Sequence, residues 1–254
     1  MPPPGPWLPR ASHAPLRKLF AAFGLDVEYV GHPPTTMIPD RAAYQPRFRP
    51  WLLDAWQRRF AVTRGKTLVS DDRLYALATV LRQALATSEC EVAECGVYQG
   101  GTARLLADVI RESGASRPLA LCDTFAGMPE TDPSVDVHRK GDFSDTSLGA
   151  VRRYLAAYEN IEYVPGLIPA SLAPLAQRRF CFVHIDLDIH AAVLDASTFF
   201  YERVAPGGFL VYDDYGFAST PGARQAVDAF YADKPETPLV LAGGQCIVFK
   251  AGTH

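Results

Sequence analysis

Two short acidic runs carry the clearest chemistry in the chain. Phe182-Val183-His184-Ile185-Asp186-Leu187-Asp188 is an apolar segment that ends in two aspartates spaced by two. Val211-Tyr212-Asp213-Asp214-Tyr215 repeats the pattern with two adjacent aspartates. If the first segment is a strand that continues through its acids, Asp186 and Asp188 share one face. If the two strands are neighbours in a sheet, their carboxyl ends bring four carboxylates together. Two unit charges at ~4 Å repel by about 4 kcal/mol at an effective dielectric of ~20. A divalent cation removes that conflict. An all-oxygen donor set selects a hard ion, Mg2+, with Mn2+ or Ca2+ as alternatives. Acids that merely cap loops, with no metal, are the competing explanation.

A second group of residues has the character of a cofactor site. Glu94-Cys95-Gly96-Val97-Tyr98-Gln99-Gly100-Gly101-Thr102 lies between a strand candidate and a helix candidate. Glycines there let the backbone turn tightly and approach a ligand closely. Asp123 ends the next strand candidate, where a carboxylate can accept hydrogen bonds from both hydroxyls of a ribose. Together they point to a nucleoside cofactor, although a tight turn and a capping acid would account for each alone. The glycines fall as G-x-x-x-G-G, without the dinucleotide spacing that seats a pyrophosphate. That, and a β-hairpin at the end of the chain, favours S-adenosylmethionine over NAD.

The elements that must position these residues alternate regularly. Strands are expected at 91–95, 118–122, 161–164, 180–185, 208–212, 238–242 and 246–250. Helices are expected near 101–113, 146–158, 169–176, 191–203 and 220–232. Ahead of the sheet, the spacing predicts a helix near 50–62 and another at 71–87, with Asp71 as N-cap. Repeated strand-helix units with near-continuous apolar strands predict an α/β fold. Its sheet would be doubly wound, mostly parallel and seven-stranded, with a C-terminal antiparallel hairpin around Gly243-Gly244. Residues 124–146 are long, polar and irregular, and are expected to form a lid over the site. Residues 1–65, with a proline-rich start, are read as an N-terminal extension serving as lid or oligomer contact. Residues 66–254 are read as the catalytic domain.

Composition narrows the class of partner. A net charge of -3 gives no field that would attract nucleic acid or an anionic membrane. No apolar run approaches the ~20 residues that span a bilayer, and the N-terminus lacks the apolar core of a secretory signal. A cytoplasmic protein is expected. Cys90, Cys95, Cys122, Cys181 and Cys246 sit in or beside apolar runs without a CxxC pair, so reduced buried thiols are expected, with no disulfide framework or zinc site.

The runs ECGVYQGG, DTFAGMPETD, HIDLDIH and APGGFLVYDDY, in that order, resemble the macrocin O-methyltransferase (TylF/MycF-type) family. The resemblance spans about residues 66–250. It implies a class I, Rossmann-like methyltransferase that depends on S-adenosylmethionine and Mg2+, in a family of which many members methylate sugar hydroxyls of natural products. It further implies that Glu94, Gly96, Gly100 and Gly101 line the cofactor loop and that Asp123 holds the ribose. Thr67, in KTLVSDDRL, resembles a threonine that touches the cofactor. Asp186, Asp213 and Asp214 would bind the metal and Asp188 would be the general base. His190 stands where the family usually has tyrosine; it either touches substrate or begins the next helix. The implied partner is a small-molecule acceptor, a glycoside, and the implied assembly is a homo-oligomer, dimer or higher. A catechol-type acceptor presents the same vicinal oxygens to a metal. Asp186-Leu187-Asp188 is also the DxD of some nucleotide-sugar glycosyltransferases, but the upstream glycine loop and the second acidic pair suit a methyltransferase better. A binding protein that has kept the fold without the activity is a further alternative, which the full acid set disfavours.

Overall fold

The computed structural model describes residues 48–87 and 89–252. The proline-rich start, and the rest of the expected extension before residue 48, lie outside them. The chain runs through a 3-10 turn (Pro50–Leu52), helices α1 (Asp54–Phe60) and α2 (Asp71–Thr87), then β1 (Glu91–Cys95), α3 (Gly101–Glu112) and β2 (Leu119–Asp123). There follow α4 (Leu148–Tyr154), β3 (Ile161–Pro165), a 3-10 segment (Ala170–Leu175), β4 (Phe180–Ile185) and α5 (His190–Tyr201). The last elements are β5 (Val204–Tyr212), α6 (Pro221–Tyr231), β6 (Leu239–Val240) and β7 (Cys246–Phe249).

The strands form one seven-stranded sheet in the order β3-β2-β1-β4-β5-β7-β6. Strands β1 to β5 pair in parallel, β7 runs antiparallel to β5, and β6 antiparallel to β7. This is the doubly wound sheet with a terminal hairpin that the sequence predicts. The strand order reverses between β1 and β4, and open α/β sheets bind ligands in the crevice at that reversal. One face of the sheet packs on α2, α3 and α4, with Leu74, Leu81, Leu105, Val109 and Phe182 in its core. The other packs on α5 and α6, with Val183, Phe200, Tyr212 and Val227. With both faces covered, β4 is buried at every position, which explains its unbroken apolar run.

Several boundaries differ from the sequence reading for local reasons. The helix expected at 50–62 divides at Leu53, whose extended ψ of 143° separates the 3-10 turn from α1. Phe60 is fully buried in the main core and the Trp56 ring meets Tyr75 edge-on at 4.8 Å, so residues 50–60 pack with the sheet domain. The cap of α2 is Ser70, whose carbonyl accepts the Leu74 N–H at 2.9 Å, while Asp71 is the first helical residue. Ser147 caps α4 through its hydroxyl, shortening the expected helix. Strand β5 begins at Val204 because Ala205-Pro206-Gly207-Gly208 is absorbed by a register shift against β4 instead of ending the strand. His190 begins α5. All five cysteines are free thiols, four of them buried. No helix among the described residues is long and apolar enough to cross a membrane.

Candidate active site

A cavity of about 430 Å3 opens at the carboxyl ends of β1, β2, β4 and β5. Its lining includes Thr67, Gly96, Asp123, Asp186, Asp188, Asp213 and Asp214. Residues from opposite ends of the sequence reading therefore share one chamber.

The glycine turn forms one side. Gly96 adopts φ +87°, and a Cβ there would strike the backbone carbonyl of Asp186. Its N–H donates to the Cys122 carbonyl at 2.9 Å, and the Asp186 N–H donates to the Cys95 carbonyl at 2.8 Å. The turn is thus clamped between β2 and β4. Gly101 lets α3 begin against the Lys66 carbonyl, which accepts its N–H at 2.8 Å. The Thr67 and Thr102 hydroxyls meet beside it at 2.8 Å. Asp123 fastens the turn from below. One oxygen accepts the Val97 and Tyr98 N–H groups at 2.6 and 3.1 Å, and the other accepts the Phe125 N–H at 2.6 Å. Glu94, Gly100 and Gly101 do not reach the cavity lining. Glu94 is fully buried beneath the turn, its Oε1 3.2 Å from His184 Nδ1.

The acids form the wall beside the glycine turn. Asp186, Asp213 and Asp214 each present an oxygen, and these oxygens lie within 4.8 Å of one another. Burial, then the charges of Asp213 and Asp214, hold the Asp186 carboxyl well above the usual range. Burial and the neighbouring Asp188 and Asp213 do the same to Asp214. Asp213 moves the other way. Burial opposes its charge, but contact with His184, the Arg73 guanidinium and the Gln245 amide outweigh it and hold its carboxyl low. Arg73 pairs with Asp213 Oδ2, and Gln245 Nε2 donates to Oδ1 at 2.7 Å. His184, between Glu94 and Asp213, is pushed up to about 10: burial disfavours its charge, and the two carboxylates more than restore it.

Asp188 stands apart from this trio. Strand β4 ends at Ile185, so strict alternation does not carry through Leu187, and the shared face expected for Asp186 and Asp188 is not a strand face. Asp188 instead takes φ +61°, a left-handed conformation that is strained for a side-chain-bearing residue. Its N–H donates to Asp214 Oδ2 at 2.9 Å, which holds the turn. Burial pushes its carboxyl up to about 6 against the opposing charge of His138.

The irregular segment after β2 walls the chamber with Met128, Pro129, His138 and Phe143. It is tied to itself by the Met128 N–H on the Asp142 carbonyl at 2.7 Å, and to α5 by the His190 N–H on Asp136 Oδ1 at 2.8 Å. His190 uses its backbone there, and its side chain is absent from the lining. His138 puts Nε2 3.7 Å from Asp188 Oδ1 and Nδ1 3.1 Å from Asp142 Oδ2. The sequence reading did not single out His138, Arg73 or Gln245. Arg73 and His138 lie in polar stretches and Gln245 beside the hairpin glycines, none with a spacing signal, and each acquires its partner only through folding.

Comparison with known proteins places the chain in a family. Residues 51–250 match the family model described as macrocin-O-methyltransferase (TylF). The chain is 26% identical over 183 residues to mycinamicin III 3''-O-methyltransferase of Micromonospora griseorubida, covering 66% of this chain and 71% of that protein. It is 27% identical over 157 residues to 8-demethyl-8-(2,3-dimethoxy-alpha-L-rhamnosyl)-tetracenomycin-C 4'-O-methyltransferase of Streptomyces olivaceus, covering 57% of this chain and 59% of that protein. In three dimensions it is similar to the O-methyltransferase NovP, with a TM-score of 0.66 and 23% identity over 74% of this chain and 83% of that one. The chain belongs to the macrocin-O-methyltransferase (TylF) family, and is an S-adenosylmethionine-dependent O-methyltransferase of the class I fold.

Proposed function

We propose that this enzyme methylates a sugar hydroxyl of a glycosylated natural product, with a divalent cation, Mg2+ or Mn2+, held by Asp186, Asp213 and Asp214. The observation that carries the reading is the close approach of three carboxylates in the wall of the cavity that the glycine turn also lines. These residues fit a hard cation. Asp186 accepts no side-chain hydrogen bond from any described residue, and its carboxyl is driven up by burial and its acidic neighbours. A cation there supplies Lewis acidity toward an acceptor hydroxyl, and S-adenosylmethionine supplies a methyl already activated as a sulfonium.

The chain's own residues do the rest. Asp188 faces the cavity and takes the hydroxyl proton on its carboxylate. His138, backed by Asp142, keeps that carboxylate turned inward. Asp123 and Thr67 hold the nucleoside side of the cofactor, and Gly96 leaves room for it. Residues 124–146 shut water away from the transfer. The sugar acceptor rests on the two named relatives, whose acceptors are a mycinamicin and a rhamnosylated tetracenomycin. A cytoplasmic homo-oligomer belongs to the same proposal.

The test is an acceptor screen with S-adenosylmethionine, read as S-adenosylhomocysteine released. Glycosides are expected to be methylated, with activity abolished by EDTA and restored by Mg2+. Activity indifferent to EDTA rejects the metal. Methylation of catechols but of no glycoside rejects the sugar acceptor.

A further inference from the structure

Glu94 is the residue whose place in the structure departs most from its expected role. It ends the strand that leads into the glycine turn, yet it points away from the cavity into the sheet. In register, Glu94 pairs with His184 on β4, and His184 pairs with Val211 on β5, two residues before Asp213. Alternation therefore sets Glu94 and His184 on one face of adjacent strands, and Asp213, the first residue after β5, is reached from them by distance. That face lies under α2 and α3, against the apolar core. His184 Nδ1 is 3.2 Å from Glu94 Oε1, and Nε2 is 3.6 Å from Asp213 Oδ1, with all three side chains at most 1% exposed.

A buried carboxylate and imidazole are an expensive way to join two strands. Apolar residues of similar volume would pack there at equal or lower free energy. What apolar residues would lack is direction. The pair reaches the back of Asp213 at ion-pair distance, with His184 Nε2 3.6 Å from Oδ1, while the hydrogen bond to Oδ1 comes from Gln245 at 2.7 Å. Oδ1 is thus flanked by His184 and Gln245, Oδ2 pairs with Arg73, and the residue lines the cavity.

We infer that Glu94 and His184 are positioning residues for Asp213: a buried carboxylate-imidazole strut that fixes the orientation of its carboxyl group beside Asp186 and Asp214. The inference rests on the metal reading above. It separates two residues that the sequence motif joins, because Gly96 serves the cofactor side while Glu94, two positions earlier, serves the metal side. Partners that orient a metal ligand from behind change metal affinity by about 10–100-fold when removed.

The experiment titrates Mn2+ and, separately, S-adenosylhomocysteine into the full-length protein by calorimetry, for wild type, Glu94→Gln and His184→Gln. Both variants should bind Mn2+ about 10-fold more weakly or worse, with S-adenosylhomocysteine affinity within about twofold of wild type. The double variant should lose little beyond the larger single loss, since the two act as one strut. Unchanged Mn2+ affinity in Glu94→Gln overturns the inference. So does a larger loss for S-adenosylhomocysteine than for Mn2+, which would return Glu94 to the cofactor. If Glu94→Gln does not fold, His184→Gln is judged by the same two titrations. Wild-type protein that binds no Mn2+ removes the metal reading and this inference together. Wild-type binding matched by both variants removes the strut alone.

Discussion

The two sides of the cavity are built from the same kinds of strand end, yet they are in opposite electrostatic condition. On the glycine side, Asp123 accepts three backbone N–H groups at hydrogen-bond length and its carboxylate is satisfied within the fold. On the acid side, Asp186 and Asp214 sit against other carboxylates and are held well above their usual range. One side is finished by folding alone. The other keeps a conflict that the proposed cation would resolve. The contrast teaches that a ligand pocket need not be uniformly preorganised: the glycine wall is satisfied within the fold while the acid wall stores repulsion.

The largest expected effect comes at the residue between the two sides. Asp188→Asn should lower kcat by about 10²–10⁴-fold, the usual range for a lost general base, while leaving S-adenosylhomocysteine and Mn2+ affinities near wild type in calorimetry. Wild-type turnover in that variant removes Asp188 from the chemistry. Next is Gly96→Ala, which tests whether the sides are mechanically joined. Its methyl meets the Asp186 carbonyl at a left-handed position. A loss of about 1–3 kcal/mol on thermal unfolding is expected, with weaker binding of both ligands.

The sharpest comparison uses one chemical change at both walls. Asp123→Asn strips charge from a carboxylate that holds backbone N–H groups, and should cost about 1–3 kcal/mol of stability. Asp186→Asn relieves repulsion, so the metal-free protein should melt higher, by about 2–4 °C for each kcal/mol gained, while Mn2+ binding is lost. Melting shifts of the same sign in both variants would break the comparison. The smallest effect is expected from Mn2+ itself. At a hundredfold excess over its Kd it should stabilise wild type by about 2.7 kcal/mol, and it should not stabilise Asp186→Asn.

Much of the fold was legible because its signals are local. An apolar run of five or six residues followed by an acid, as at Phe180–Ile185 and 208–212, reads as a buried strand end whatever surrounds it. The same runs put Asp186, Asp213 and Asp214 at one edge of the sheet, and the structure brings those three together. The weaker inferences were those that extended a local rule past its element. Alternation was carried through Asp188, three residues beyond the end of β4. The family resemblance implies that Glu94 and Gly96 both line the cofactor loop; Gly96 lines the cavity, while Glu94 is buried against His184.

The amino-acid sequence by itself determined which residue types stand at the strand ends, because hydrophobic periodicity and glycine conformation act over a few residues. Only the tertiary structure decided who meets whom. Arg73 reaches Asp213 across 140 positions, and His138 reaches Asp188 across 50, because helix and loop packing brings them there. Hydrogen bonds and ion pairs act over a few ångströms, and distance along the chain carries no record of that approach.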